Sequence, residues 1–169
     1  MREPESTTLI AADVERMRAI GAALGAALAR VNGCAVVIAI RGELGAGKTT
    51  LVGGLLNSLG LAGPARSPTY TLIEPYELGN RHIYHLDLYR LVDPAEVEAL
   101  GVRDLLADDA VLLIEWPEKG GDFVPPADIA LSLVYASANA LPAGREVTVS
   151  PLSAAGAALA KAFTSAIKP

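Results

Sequence analysis

The sequence predicts an α/β domain: a mixed β-sheet flanked by helices, with antiparallel strands toward the C-terminal end. Three observations predict it. Ala35 to Ile40 and Val111 to Ile114 are short, continuous apolar runs, the composition of strands covered on both faces in a parallel sheet. Apolar positions at helical spacing stand before and after the first run. In the last third, Ile129, Leu131, Leu133 and Tyr135 alternate with other residues, as do Val147 and Val149, the pattern of antiparallel strands.

The elements follow in order. Val14, Met17, Ile20, Leu24, Leu28 and Val31 step by threes and fours, which predicts a helix over 13–31 with Asp13 at its N-cap and Asn32-Gly33 as its stop. After the first buried run, Gly42 to Gly47 breaks the pattern, and a second helix is expected from Lys48 to about Leu59. Residues 69–76 and 81–89 are rich in Thr, Tyr, Ile and Leu, and Gly79-Asn80 between them signals a turn. Asp93-Pro94 opens a helix, with Val97, Leu100 and Leu105 on one face. Pro142-Ala143-Gly144 marks a turn between the two alternating strands, and 153–168 is an alanine-rich stretch with weak helical periodicity. No internal repeat and no dividing linker interrupts the chain.

Composition narrows the class. The 169 residues are 51% hydrophobic and 20% charged, too apolar for disorder. A chain of this size buries roughly 70% of its unfolded surface and needs no disulfide to hold it. One cysteine, Cys34, excludes an internal disulfide, and its apolar setting suits a core role. No apolar run approaches the ~18 residues of a membrane span. Glu3, Pro4, Glu5 and Ser6 stand where a secretory leader would be basic and then apolar. These features point to a cytoplasmic domain. The net charge of −5 argues against a broad nucleic-acid footprint.

The chemistry begins at Gly42-Glu43-Leu44-Gly45-Ala46-Gly47-Lys48-Thr49, which fits G-x-x-x-x-G-K-[ST]. A chance match in a chain of this composition has a probability on the order of a few in a thousand. The loop also lies between a buried strand and a helix, as a P-loop NTPase-like fold requires. Glycines let the backbone curl so that successive N–H groups face phosphate oxygens, and the helix dipole adds to the attraction. Lys48 is expected to reach the β- and γ-phosphates and Thr49 to ligate Mg²⁺.

Such a site needs a carboxylate at the end of a neighbouring strand. Val111-Leu112-Leu113-Ile114-Glu115 ends four apolar residues in an acid, and His85-Leu86-Asp87 offers a second. One acid would hold the metal and the other would orient the attacking water; the sequence leaves open which does which. Pro68 presents the Thr69 hydroxyl at a defined place in its loop, as nucleotide-sensing switches do. His82 and His85 are three apart on an extended strand and face opposite ways, whereas His85 and Asp87 share a face. Trp116, the only tryptophan, can stack on a base, cover a partner contact or pack in the core.

Four stretches together, G-E-L-G-A-G-K-T-T at 42–50, S-P-T-Y-T-L at 67–72, H-L-D-L-Y-R-L at 85–91 and L-I-E-W-P-E-K at 113–119, resemble the TsaE (YjeE) family. The resemblance covers roughly residues 5–150. It implies a bacterial P-loop ATPase that binds ATP or ADP with Mg²⁺, hydrolyses slowly alone, and acts with the TsaB–TsaD pair. The product of that system is N6-threonylcarbamoyladenosine at position 37 of tRNA, the tRNA being met only through the complex. On this resemblance Lys48, Asp87 and Glu115 are catalytic, and Thr49, Asp87 and Glu115 hold the metal. The nucleotide is held by 42–50, Thr50 included, with Thr69 and Trp116. Residues 1–152 would form the ATPase domain and 153–169 a tail that the motifs do not reach. Glu43 fits the family pattern, although an acid so near phosphates is expected to point away from them.

Two rivals stand beside it. A small-molecule kinase would need a second pocket and a clamp of arginines, and Arg66, Arg81, Arg90 and Arg103 are scattered. A nucleotide-gated adaptor would dock to a partner with no other output. No Asn-Lys-x-Asp guanine reader occurs, which disfavours GTP.

Overall fold

The computed structural model describes residues 5–137 and 144–167. Seven strands form one sheet: β1 (Thr7–Ala11), β2 (Val36–Gly42), β3 (Ile73–Leu78), β4 (Arg81–Asp87), β5 (Ala110–Glu115), β6 (Ile129–Tyr135) and β7 (Arg145–Pro151). Their spatial order is β1-β7-β6-β2-β5-β4-β3. The inner four, β6, β2, β5 and β4, are parallel. Antiparallel pairs close both edges, β3 on β4 at one side and β6–β7–β1 at the other. The expected antiparallel character of the last third is therefore half of the truth for β6, which runs parallel to β2 on its other side.

Among the described residues four α-helices flank the sheet: α1 (Val14–Leu28), α2 (Lys48–Ser58), α3 (Glu96–Ala99) and α4 (Ala154–Ala166). The alternating faces of the inner strands feed two separate cores. Ile38, Ile40, Val111 and Leu113 pack beneath α1, α2 and α4, while Val37, Leu112 and Ile114 pack with Leu86, Leu88 and Val97 on the opposite face. Every residue of β5 is buried, as its unbroken apolar run predicts. Each such leucine or isoleucine contributes roughly 1.5–3 kcal/mol of transfer free energy. No described helix is long and apolar enough to cross a membrane.

Several boundaries differ from expectation, each for a local reason. Asp13 caps α1 as expected, accepting from the Arg16 amide at 2.7 Å, but the helix stops at Leu28 rather than 31. There the buried Arg81 guanidinium takes the carbonyls of Leu28 and Val31, and that of Cys34 at 3.2 Å. Residues 69–72 are a turn, closed by the Leu72 amide on the Pro68 carbonyl at 2.9 Å, so β3 begins only at Ile73. β4 ends at Asp87 because the Asp87 carboxylate takes the Tyr89 amide at 3.1 Å. Asp93 and Glu96 form a reciprocal cap, Asp93 accepting from the Ala95 amide and Glu96 from the Asp93 amide. The helix it opens is a single turn, since Gly101 is left-handed (φ 65°) and Val102–Leu105 continues as a 3-10 turn.

β1 lay outside the expected elements. Its three apolar residues, Leu9, Ile10 and Ala11, make too short a pattern, and its pairing with β7 is visible only in three dimensions. Of the expected Pro142-Ala143-Gly144 turn, the first two residues lie outside the described residues. The alanine-rich stretch forms α4, capped by Ser153 and seated on the core by Leu159 and Phe163.

The approach of α1 to α2 sets where the phosphate loop's helix lies. It depends on glycine at the contact: a Cβ at Gly21 would stand 2.0 Å from the Leu51 carbonyl oxygen, and one at Gly54 2.2 Å from that of Arg18. Gly21→Ala is therefore expected to destabilise by about 1–3 kcal/mol despite alanine's better helix propensity. The urea midpoint measures this, and an unchanged midpoint would contradict the close packing.

Candidate functional site

The carboxyl ends of three parallel strands finish side by side. Register pairs Ile40 with Glu115 and Asp87 with Glu115, so β2 hands over to its loop beside the two acids that end β5 and β4. Residues 43–47 then turn into α2. Gly45 and Gly47 hold φ of 77° and 104°, where a side chain would be strained. No side chain caps α2, which leaves its first-turn amides for an anion.

Lys48 lies almost wholly inside this arch. Its Nζ donates to the Gly42 carbonyl at 2.7 Å and to that of Glu43 at 2.8 Å, bracing the loop across its mouth. The indole of Trp116 stands 4.2 Å from the ammonium, and Tyr89 packs on the indole's edge with ring centroids 5.0 Å apart. Burial pushes the Lys48 pKa below its ordinary value, and the negative charges of Glu115 and Asp87 oppose that shift. Trp116 itself is left-handed (φ 56°), an uncommon conformation for a bulky residue, and its amide donates to the Ile40 carbonyl at 3.2 Å.

Thr49 faces Glu115. Its hydroxyl is 3.1 Å from Oε1 and 3.2 Å from Oε2 of the carboxylate, which is also 2.8 Å from His85 Nε2. His85 does share a face with Asp87, but its hydrogen-bond partner is Glu115, one strand across. Asp87 is buried beside them. Burial raises its pKa; the Tyr89 amide works against this and the Glu115 charge works with it. A hydroxyl and two carboxylates, with no soft ligand among them, are the hard oxygen donors that suit Mg²⁺. Two acids buried side by side are the arrangement a divalent cation relieves.

These groups surround a cavity of about 510 Å³. The glycine loop and start of α2 (Gly45, Gly47, Lys48, Thr49, Thr50), the strand-end residues Asp87, Glu115 and Trp116, and the loop residues Ser67 and Thr69 all line it. Thr69 and Ser67 share a hydrogen bond of 2.7 Å. Not every loop residue enters. Ala46 is buried in the core, and Gly42 and Glu43 offer only their carbonyls to Lys48, with Glu43 exposed toward a second cleft. Leu44 is 66% exposed and borders both spaces. Four further residues were missed from sequence: Ser67, Tyr89 and Arg90, which line the cavity, and Tyr135, whose hydroxyl donates to the Leu44 carbonyl at 3.1 Å from β6. Their only sequence signal was membership in a motif or a strand.

With this geometry in hand, comparison with known proteins is decisive. The family model for threonylcarbamoyl adenosine biosynthesis protein TsaE matches residues 11–146. The chain belongs to the TsaE family. All four stretches that carry the resemblance lie within that match. A tRNA threonylcarbamoyladenosine biosynthesis protein TsaE of Haemophilus influenzae is 50% identical over 101 residues, 60% of this chain and 64% of that protein's length. One from Nostoc is 38% identical over 135 residues, covering 78% and 80%. The crystal structure of Bacillus subtilis YdiB superimposes with a TM-score of 0.71 at 25% identity, covering 98% of both chains.

In this TsaE chain the four scattered arginines separate clearly. Arg90 lines the cavity; Arg81 is locked under α1, Arg66 reaches Glu74 at 3.6 Å, and Arg103 donates to the Asp122 carbonyl. The raised Asp87 pKa carries a stability prediction. The fold penalises its ionised form; the penalty is absent in acid and grows as pH climbs from the usual 3.8 through the raised value. Asp87→Asn is expected to melt roughly 2–4 °C higher at neutral pH, the difference vanishing in acid. Equal melting temperatures at pH 7 would contradict it.

Proposed function

We propose that this TsaE chain is an ATP hydrolase of low intrinsic activity, working in the cytoplasm with Mg²⁺. Its turnover drives or resets a TsaB–TsaD complex in the biosynthesis of N6-threonylcarbamoyladenosine at position 37 of tRNA. Family membership and the names of its relatives support the pathway. The observation that carries the reaction is the convergence of Lys48, the Thr49–Glu115 pair and Asp87 on one cavity behind a glycine loop.

In this reading the loop amides and Lys48 bind the β- and γ-phosphates of ATP or ADP. Thr49 with one of the two acids, Glu115 or Asp87, would hold Mg²⁺, which when bound neutralises phosphate charge. The acid not engaged there accepts a hydrogen bond from the attacking water, and Trp116 covers Lys48 from solvent. In the same reading Thr69, which lines the cavity, belongs to a switch loop that senses the terminal phosphate. With a single arginine, Arg90, at the cavity among the described residues, the arrangement does not favour a kinase clamp.

The test is ATP turnover by the purified chain, alone and with TsaB and TsaD. Slow hydrolysis that rises in the complex is expected. Rapid phosphoryl transfer to a small acceptor with no protein present would overturn it. Net acidity makes tRNA binding a property of the complex, so tight, salt-sensitive tRNA binding by this chain alone would contradict that part.

A further inference from the structure

His85 is fully buried on the α2 face of β4, between Ile83 and Asp87. Its Nε2 meets Glu115 Oε1 at 2.8 Å, and its Nδ1 has no hydrogen-bond partner among the described residues. A carboxylate only accepts, so Nε2 carries the proton in this pair and donates it to Oε1. Leucine or phenylalanine would fill the same space without stranding a buried polar atom. Packing therefore does not account for an imidazole here. What the ring supplies is one N–H aimed at one oxygen.

That direction matters because the carboxylate's other partner does not discriminate. The Thr49 hydroxyl is nearly equidistant from the two oxygens, 3.1 and 3.2 Å. By itself it would leave Glu115 free to turn about its terminal bond. The His85 N–H engages Oε1 alone and breaks the symmetry. We propose that His85 is a positioning residue: it fixes the rotamer of Glu115 and so decides which carboxylate oxygen is offered to the metal–phosphate group. The inference rests on the ATPase reading above and deepens it.

Three variants test it: His85→Phe, His85→Gln and His85→Asn. Calorimetry, with Trp116 fluorescence as a second signal, compares ADP affinity in Mg²⁺ and in EDTA; turnover in the TsaB–TsaD complex gives kcat and KM. Phe should keep the EDTA affinity while the Mg²⁺-dependent gain falls about 10–100-fold, KM rising by no more than that factor, and kcat falls about 10–100-fold besides. Gln, whose amide nitrogen stands in for Nε2, should recover most of both. Asn, with the same polarity but too short to reach Glu115, should not; this pair decides the matter even if Phe fails to fold. A Phe variant with the full Mg²⁺ gain, or Gln and Asn equally impaired, would overturn the positioning role. Wild-type protein showing no Mg²⁺-dependent nucleotide binding would instead remove the ATPase reading, and this inference with it, before any variant is compared.

Discussion

Lys48→Ala is expected to weaken Mg-ATP binding by about 100- to 1,000-fold and to abolish measurable turnover. Among the described residues the ammonium is the one buried cation that lines the cavity, and truncating a buried, hydrogen-bonded charge costs about 2–5 kcal/mol. Two separate losses combine. The phosphates lose a charge-assisted donor, and the loop loses the brace that Nζ provides to the Gly42 and Glu43 carbonyls. The Asp87 and Glu115 carboxylates are also left without their nearest positive charge, which repels an incoming polyphosphate further. Calorimetric titration with Mg-ATP checks this directly. Wild-type affinity in the variant would refute the role given to Lys48.

Glu115→Gln should show the opposite division. The amide keeps the size of the side chain and can still accept from His85 and Thr49, so nucleotide affinity in EDTA should stay within a few-fold of wild type. The negative charge is gone, and hydrolysis in the partner complex should fall by about 100- to 1,000-fold. Single-turnover measurements separate the two effects. If Glu115→Gln and Asp87→Asn both keep full turnover, the two-acid assignment is wrong. Asp87→Asn adds a contrast, since it should lose activity while gaining stability at neutral pH.

What could be read from sequence follows the range of the interactions involved. The runs at Val36–Ile40 and Val111–Ile114 became central strands because their continuous apolar character leaves no solvent face. The phosphate loop was legible because its chemistry is local: glycines for backbone shape, then Lys48 and Thr49 at the mouth of a helix. Asp87 and Glu115 could be picked as strand-end acids, yet their adjacency depends on the β4–β5 register, which no single stretch encodes. The same register brings His85, which shares a face with Asp87, to the Glu115 carboxylate one strand across. Boundaries failed where a distant group intervened, as Arg81 does at the end of α1, or where one residue took an unexpected backbone state, as Gly101 and Leu72 do. Edge strand β1 is too short to announce itself and owes its existence to β7.

The claim on which the rest depends is that the arch around Lys48 and Thr49 holds an adenine nucleotide with its cation. Titration of the purified wild-type chain with ATP and with GTP, each in Mg²⁺ and in EDTA, tests it most directly. One saturable site for ATP, strengthened by Mg²⁺ and clearly preferred over GTP, is the expected outcome. No heat with either nucleotide, alone or in the presence of TsaB and TsaD, would contradict it.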